Sequence, residues 1–204
     1  ACCGQTLCSG CMDEILEGDN GVLCPFCRTP APTSHAELVQ RVKKRAESDD
    51  SDALNVLAGY YKDGTRGLPQ DYGKSLELLL RAGELGNARA YGNLGSAYHI
   101  GLGVERDVKK ATHYYERAAM RGDAGARANL GVTEAHAGNF DRAVKHFMIA
   151  AGTGFDDSLE NIRHLFMNGH ATKDDFERAL RAHKQAKDEV KSDQRDSAAA
   201  RMKN

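Results

Sequence analysis

Along residues 51–190 apolar side chains recur with the helical period, and the helical stretches themselves recur. Leu57, Leu94, Leu130 and Ile162 follow one another at intervals of 37, 36 and 32, whereas Ala82, Ala118, Ala150 and Ala186 are spaced by 36, 32 and 36. The offset places one deletion of about four residues in the turn between the two helices of the third unit. Tyr72, Val108, Phe140 and Phe176 each stand three residues before Ser75, Ala111, Ala143 or Ala179, one large knob beside one small socket per unit. Each unit reads as two antiparallel helices, and neither helix buries its apolar stripe without the next unit. The predicted fold class is mainly α: an α-solenoid of about four two-helix repeats over residues 51–190.

The second unit is the most complete: Ala90-x-x-x-Leu94-Gly95-x-x-Tyr98-x-x-Gly101-x-Gly103-Val104-x-x-Asp107-x-x-Lys110-Ala111-x-x-x-Tyr115-x-x-Ala118-Ala119-x-x-Gly122. Gly95 and Ala97 allow close helix crossing, with Tyr98 expected to fill the gap, while Gly101 and Gly103 suit a turn of positive φ and Asp107 a helix cap. This pattern closely resembles the Sel-like repeat, a longer-loop relative of the tetratricopeptide repeat. The first unit carries the same turn as Gly64, Gly67, Leu68 and Asp71. The third has lost it, and the fourth, with Arg163 at the glycine position, reads as a terminal cap.

Upstream, Thr29-Pro30-Ala31-Pro32-Thr33 interrupts regular structure, since each proline fixes its own φ and restricts its predecessor. Ser34 and Glu37 form a capping-box pattern at the start of a helix that is expected to end near Ser48, with Leu38 and Val42 as its apolar seam. Residues 30–50 are thus a proline-containing linker and a connecting helix. After about Val190 the period fades, and residues 191–204 read as a charged, mobile tail.

All six cysteines fall within the first 27 positions. Cys8-x-x-Cys11 and Cys24-x-x-Cys27 are two chelating pairs, each able to place two thiolates on one zinc ion, and Cys2 and Cys3 supply a third. A disulfide staple suits secreted mini-proteins rather than a chain with a long cysteine-free remainder, and neither CxxC stands in the strand-to-helix context of a redox dithiol. The stretch resembles the carboxy-terminal portion of a RING finger, the cross-braced two-zinc module of many ubiquitin ligases. That resemblance implies a partial RING zinc module at residues 1–29. One zinc would be held by Cys2, Cys3, Cys24 and Cys27; the other, held by Cys8 and Cys11, would need a first CxxC upstream, so the chain reads as a fragment. It also implies that Pro25 and Arg28 contact a ubiquitin-conjugating enzyme and its ubiquitin. Gln5 stands where the common pattern has histidine, and the chain has no tryptophan.

Lysine and arginine number 28 against 29 acidic residues, so no overall positive field draws the chain to nucleic acid or an anionic membrane. No apolar run approaches the roughly 20 residues of a spanning helix. The histidines form no HExxH pair; His113, His146 and His183 fall on second helices of separate units and read as surface or groove lining. The glycines of residues 101–104 lack the lysine and serine of a phosphate loop. Asn93, Asn129 and Asn161 recur one residue before Leu94, Leu130 and Ile162, which sets a ladder of amides along the first helices. Such amides either hold the repeats together or hydrogen-bond an extended peptide, with Tyr60, Tyr61, Tyr91 and Tyr98 available for stacking. Two functions follow: a zinc-binding RING-type ubiquitin ligase or ligase-like adaptor whose solenoid binds protein partners, or a non-enzymatic scaffold with a structural zinc cap. Neither has a catalytic nucleophile or acid–base pair within the repeats. Reduced zinc ligands point to the cytoplasm or nucleus.

Overall fold

The computed structural model describes residue 30 and residues 32–190. Its backbone contacts divide these into two units, one ending at Leu78 and one running from Leu79 to Val190. Nine helices form among the described residues, and the architecture is a mainly α solenoid.

In the first unit, α1 (His35–Glu47) is followed by α2 (Ser51–Asp63). Ser34 caps α1 by accepting the Glu37 N–H at 3.2 Å. Glu37 departs from the reciprocal capping box: its carboxylate accepts from the Thr33 N–H at 2.8 Å, and that backbone hydrogen bond lowers its pKa most. The seam of α1 also differs from the Leu38–Val42 pair. Val39, Val42 and Ala46 are buried, while Leu38 is only half-buried, because the face that meets α2 is centred one position further along. Val39 and Ala46 lie 36 residues before Ser75 and Ala82, so α1 occupies the register of a second helix. Leu54, Leu57, Ala58 and Tyr61 of α2 are buried. Asp50 ties the corner by capping α2 at the Asp52 and Ala53 N–H groups and pairing with Arg45 at 2.6 Å.

The helix α3 (Tyr72–Glu84) follows a turn in which Gly64 and Gly67 take positive φ. Asp71 accepts the Lys74 N–H at 2.9 Å at its start.

In the second unit three hairpins follow: α4 (Ala88–Ile100) with α5 (Val108–Ala119), α6 (Ala124–His136) with α7 (Phe140–Ala151), and α8 (Asp156–Met167) with α9 (Lys173–Val190). The expected anchors Leu94, Leu130, Ile162, Ala118 and Ala150 are all buried. Residues 101–107 join α4 to α5 and residues 137–139 join α6 to α7, which locates the four-residue deletion where the spacing predicts it. Gly101, at φ 78°, ends α4 in the left-handed conformation, and Asp107 caps α5 by accepting the Lys110 N–H at 2.9 Å.

Helix pairs in this unit close by seating an aromatic ring on a glycine. A Cβ on Gly95 would lie 2.5 Å from Tyr115 Cδ1, on Gly131 2.7 Å from Phe147 Cε1, and on Gly83 2.5 Å from Tyr91 Cδ1. Each ring therefore occupies the volume that an alanine methyl would need. Tyr98, expected over Gly95, instead stacks on Tyr114 with ring centroids 5.6 Å apart. The ring that fills the gap comes from the opposite helix of the hairpin, where it can reach across rather than along α4.

Candidate protein-binding groove

On α4, Arg89, Gly92, Asn93 and Ser96 fall at i, i+3, i+4 and i+7 and so share one face. On α6 the corresponding turn supplies Ala124, Gly125, Ala126 and Asn129. Between these two first helices lies a groove of about 430 Å³, also lined by Gly122, Asp123 and Phe155. It is the face that the amide ladder predicts, and it brings Asn93 and Asn129 together. Asn161, one repeat on, lies outside it on α8 and is half-buried.

The local sequence explains why the groove is open and polar. Gly92 and Gly125 contribute no side chain, and a Cβ at either would meet only ordinary contacts, at 3.6 and 3.4 Å from Asp123 Oδ1. Asp123 is committed to capping α6, accepting the Ala126 N–H at 2.6 Å. Ser96 donates to the Gly92 carbonyl at 3.1 Å and accepts from the Tyr115 hydroxyl at 3.3 Å, which fixes the groove wall to the buried ring behind it. Burial pushes the Tyr115 phenol above the usual tyrosine range, so it stays a neutral donor. The Asn129 side-chain amide makes no hydrogen bond among the described residues, while its backbone carbonyl accepts from the Thr133 hydroxyl at 2.9 Å. Arg89 is exposed at the lip and has no acidic partner among the described residues.

Several expectations need correction. Tyr61 and Tyr91 are not available for stacking on a ligand: both are buried, Tyr91 completely, beneath Arg117 at 4.2 Å and beside Gly83. Tyr60 and Tyr98 are half-buried and outside the groove. His113 is exposed, and His183 bonds Asp156 at 2.8 Å. His146 buries its Nδ1 without a partner, and that burial, with the nearby Arg127, lowers its pKa.

Sequence reasoning did not single out Arg89, Gly92, Ser96 or Phe155. The signal for the last was present: Asp50, Asn87, Asp123 and Phe155 recur at 37, 36 and 32, and only Phe155 cannot cap its helix with a side chain. The cysteine positions Cys2, Cys3, Cys8, Cys11, Cys24 and Cys27, together with Pro25 and Arg28, lie outside the described residues. Among the described residues no cluster of histidine, cysteine or acidic side chains could hold a metal ion, and no helix is long and apolar enough to cross a membrane.

Residues 51–87 and 88–123 match the family profile described as the Sel1 repeat. Both segments are Sel1 repeats. A Sel1 repeat protein from Oxalobacter formigenes, known from a crystal structure, superposes with a TM-score of 0.66 at 29% identity, over 76% of this chain and 64% of that one. A protective antigen of uropathogenic Escherichia coli with an SLR fold gives a TM-score of 0.61 at 20% identity over 93% of this chain and 42% of that one, a likeness of fold alone. In sequence, the ERAD-associated E3 ubiquitin-protein ligase component HRD3B of Arabidopsis thaliana is 32% identical over 111 residues, which are 54% of this chain and 17% of the plant protein. The Sel1 profile is thus matched by the two units whose turns keep both glycines, and the shortened third turn lies beyond it.

Proposed function

We propose that this chain is a Sel1-repeat scaffold that captures an extended segment of a partner protein in the groove between α4 and α6. One observation carries the reading: Asn129, whose side-chain amide has no hydrogen bond among the described residues, lines the same groove as Asn93 and Arg89. A primary amide offers a donor and an acceptor together, which is what an extended backbone requires, whereas an amide kept only for internal support would be bonded internally. The Sel1 likeness supports the same class of function, since these solenoids mediate protein–protein interaction, and the plant relative is a component of a larger ligase assembly.

The test uses peptides selected on the full chain from a random-heptapeptide display library, resynthesised with a fluorescent label and measured by anisotropy. Asn129→Ala is expected to weaken binding about 5–10-fold, the worth of one or two hydrogen bonds. Selected peptides that bind Asn129→Ala as they bind the wild type would contradict the groove.

The cysteine spacing favours a second reading, in which residues 1–29 bind zinc through Cys2, Cys3, Cys24 and Cys27, with Cys8 and Cys11 on a second ion, and dock a ubiquitin-conjugating enzyme through Pro25 and Arg28. The solenoid then presents its bound partner for modification in the cytoplasm or nucleus. Zinc that co-purifies in proportion to the chain, is lost in Cys24→Ser, and supports ubiquitin discharge sensitive to Arg28→Ala is the expected result. Zinc without discharge leaves the module as a folding cap.

A further inference from the structure

Not every helical glycine in the second unit has the same cause. Gly83, Gly95 and Gly131 are required, because a Cβ at each would lie within 2.5–2.7 Å of an aromatic ring. Gly92 is not: the nearest atoms to its Cβ would be Asp123 Oδ1 at 3.6 Å and Ala126 Cβ at 3.8 Å. Glycine weakens a helix interior relative to alanine, but its bare backbone lets another chain approach closely. Gly125 repeats the case across the groove, with Phe155 Cζ 4.0 Å away. The floor of the groove is thus bare while its walls carry Asn93 and Asn129.

Two lining residues differ in chemistry from the rest. Arg89 brings a guanidinium with no acidic partner among the described residues. Among the described residues that line the groove Asp123 is the one acid, and its Oδ1 is directed at the Ala126 N–H of the α6 cap, 2.6 Å away. At α8, the half-buried ring of Phe155 stands at the cap position, where side-chain oxygens of Asn87 and Asp123 serve the two preceding first helices. That substitution forgoes a capping hydrogen bond and places an aromatic surface in the groove.

We infer that the groove selects an extended peptide with an acidic side chain at Arg89 and an apolar side chain on Phe155, its backbone lying over Gly92 and Gly125. The inference rests on the peptide-binding reading above and adds its specificity. A carboxylate supplies the counter-charge that Arg89 lacks among the described residues, the bare floor admits the main chain, and the Asn129 amide hydrogen-bonds to it.

The library-selected peptides serve as probes. They are expected to be enriched in aspartate or glutamate at one position and in an apolar residue at a fixed distance from it. Arg89→Glu should weaken them at least about fivefold, as loss of an exposed charge pair followed by repulsion allows, and a lysine at the acidic position should bind Arg89→Glu better than the wild type. Arg89→Gln serves if Arg89→Glu loses helicity. Gly92→Leu adds bulk at a position whose Cβ meets only side-chain atoms, at 3.6 Å or more, so it should keep the fold by circular dichroism and abolish binding. The outcomes separate the two claims. If Gly92→Leu blocks binding but the peptides carry no acidic preference or ignore both Arg89 variants, the inferred specificity fails and peptide capture stands. If the peptides bind Gly92→Leu unchanged, or the groove proves to be filled by a second copy of the chain in a dimer that Gly92→Leu breaks, both fail.

Discussion

The hairpins α4–α5 and α8–α9 belong to the same unit and the same repeat pattern, yet they are held together differently. In α4–α5 the ring of Tyr115 sits on Gly95, and in α6–α7 Phe147 sits on Gly131 in the same way. At the matching positions of the last hairpin the chain has Arg163 and His183. There polar links at the surface add to apolar contact: Phe166 stacks on Phe176 with ring centroids 5.8 Å apart, and Asp156 at the start of α8 bonds His183 at 2.8 Å and Lys187 at 2.9 Å on α9. A hairpin with a glycine seat relies on shape. With Arg163 in place of the glycine there is no seat for a ring, and charged groups supply part of the link. The comparison predicts that size changes damage interior repeats and that salt and acid loosen the last one first.

The largest effect should come from emptying a seat. Phe147 is 2% exposed, and Phe147→Ala is expected to cost about 3–5 kcal/mol in urea unfolding, the range for a buried aromatic ring. Adding volume on the other side should be milder. Gly95→Ala must push Tyr115 or its helix aside, which costs about 1–3 kcal/mol. Pairing it with Tyr115→Leu should recover part of that loss, since the first repeat carries Ala58 and Leu79 at these two register positions. A double variant no better than the sum of the singles would break the size-matching account.

Acid should act on the last hairpin through a different route. The Lys187 and His183 hydrogen bonds hold the Asp156 carboxyl below the usual carboxylate range, and Arg163 and Thr172 do the same for Glu160 and Asp175. A depressed carboxylate contributes stability that is present above its unfolded pKa, about 4, and is lost as pH falls through its folded value. Hydrogen exchange of α9 is therefore expected to quicken below about pH 4 before that of α4 and α5 does, and 1 M salt should bring part of the same loosening at pH 7. The smallest effect belongs to His146. Burial lowers its pKa, so its contribution is full above about pH 6.5 and declines as the pH drops from there, and His146→Leu should remove that step from the stability profile.

Much of this organisation is legible in the sequence because repetition converts weak patterns into a register. Leu94 or Ala118 alone says little, whereas four equivalents at matched spacing identify the buried face, the turn glycines and even the deletion before α7. Which ring fills which gap is not legible that way, since periodicity gives the phase of one helix and not the reach of its neighbour. That is why Tyr98 was the natural candidate over Gly95 and Tyr115 is the occupant. The groove was half legible. The recurring asparagines point to its wall, but Arg89 and Phe155 enter it through departures from the repeat, and a repeat alignment averages departures away.

The same contrast bears on function. The seats close the helix pairs of the unit, and the groove between α4 and α6 presents the Asn129 amide, the Arg89 guanidinium and the bare backbone at Gly92 and Gly125. The most direct test is amide hydrogen exchange of the full chain with and without a saturating selected peptide. The account predicts protection at residues 89–96 and 122–129, with the second helices α5 and α7 unchanged. Protection confined to α5 and α7, or none in the first helices, would contradict it.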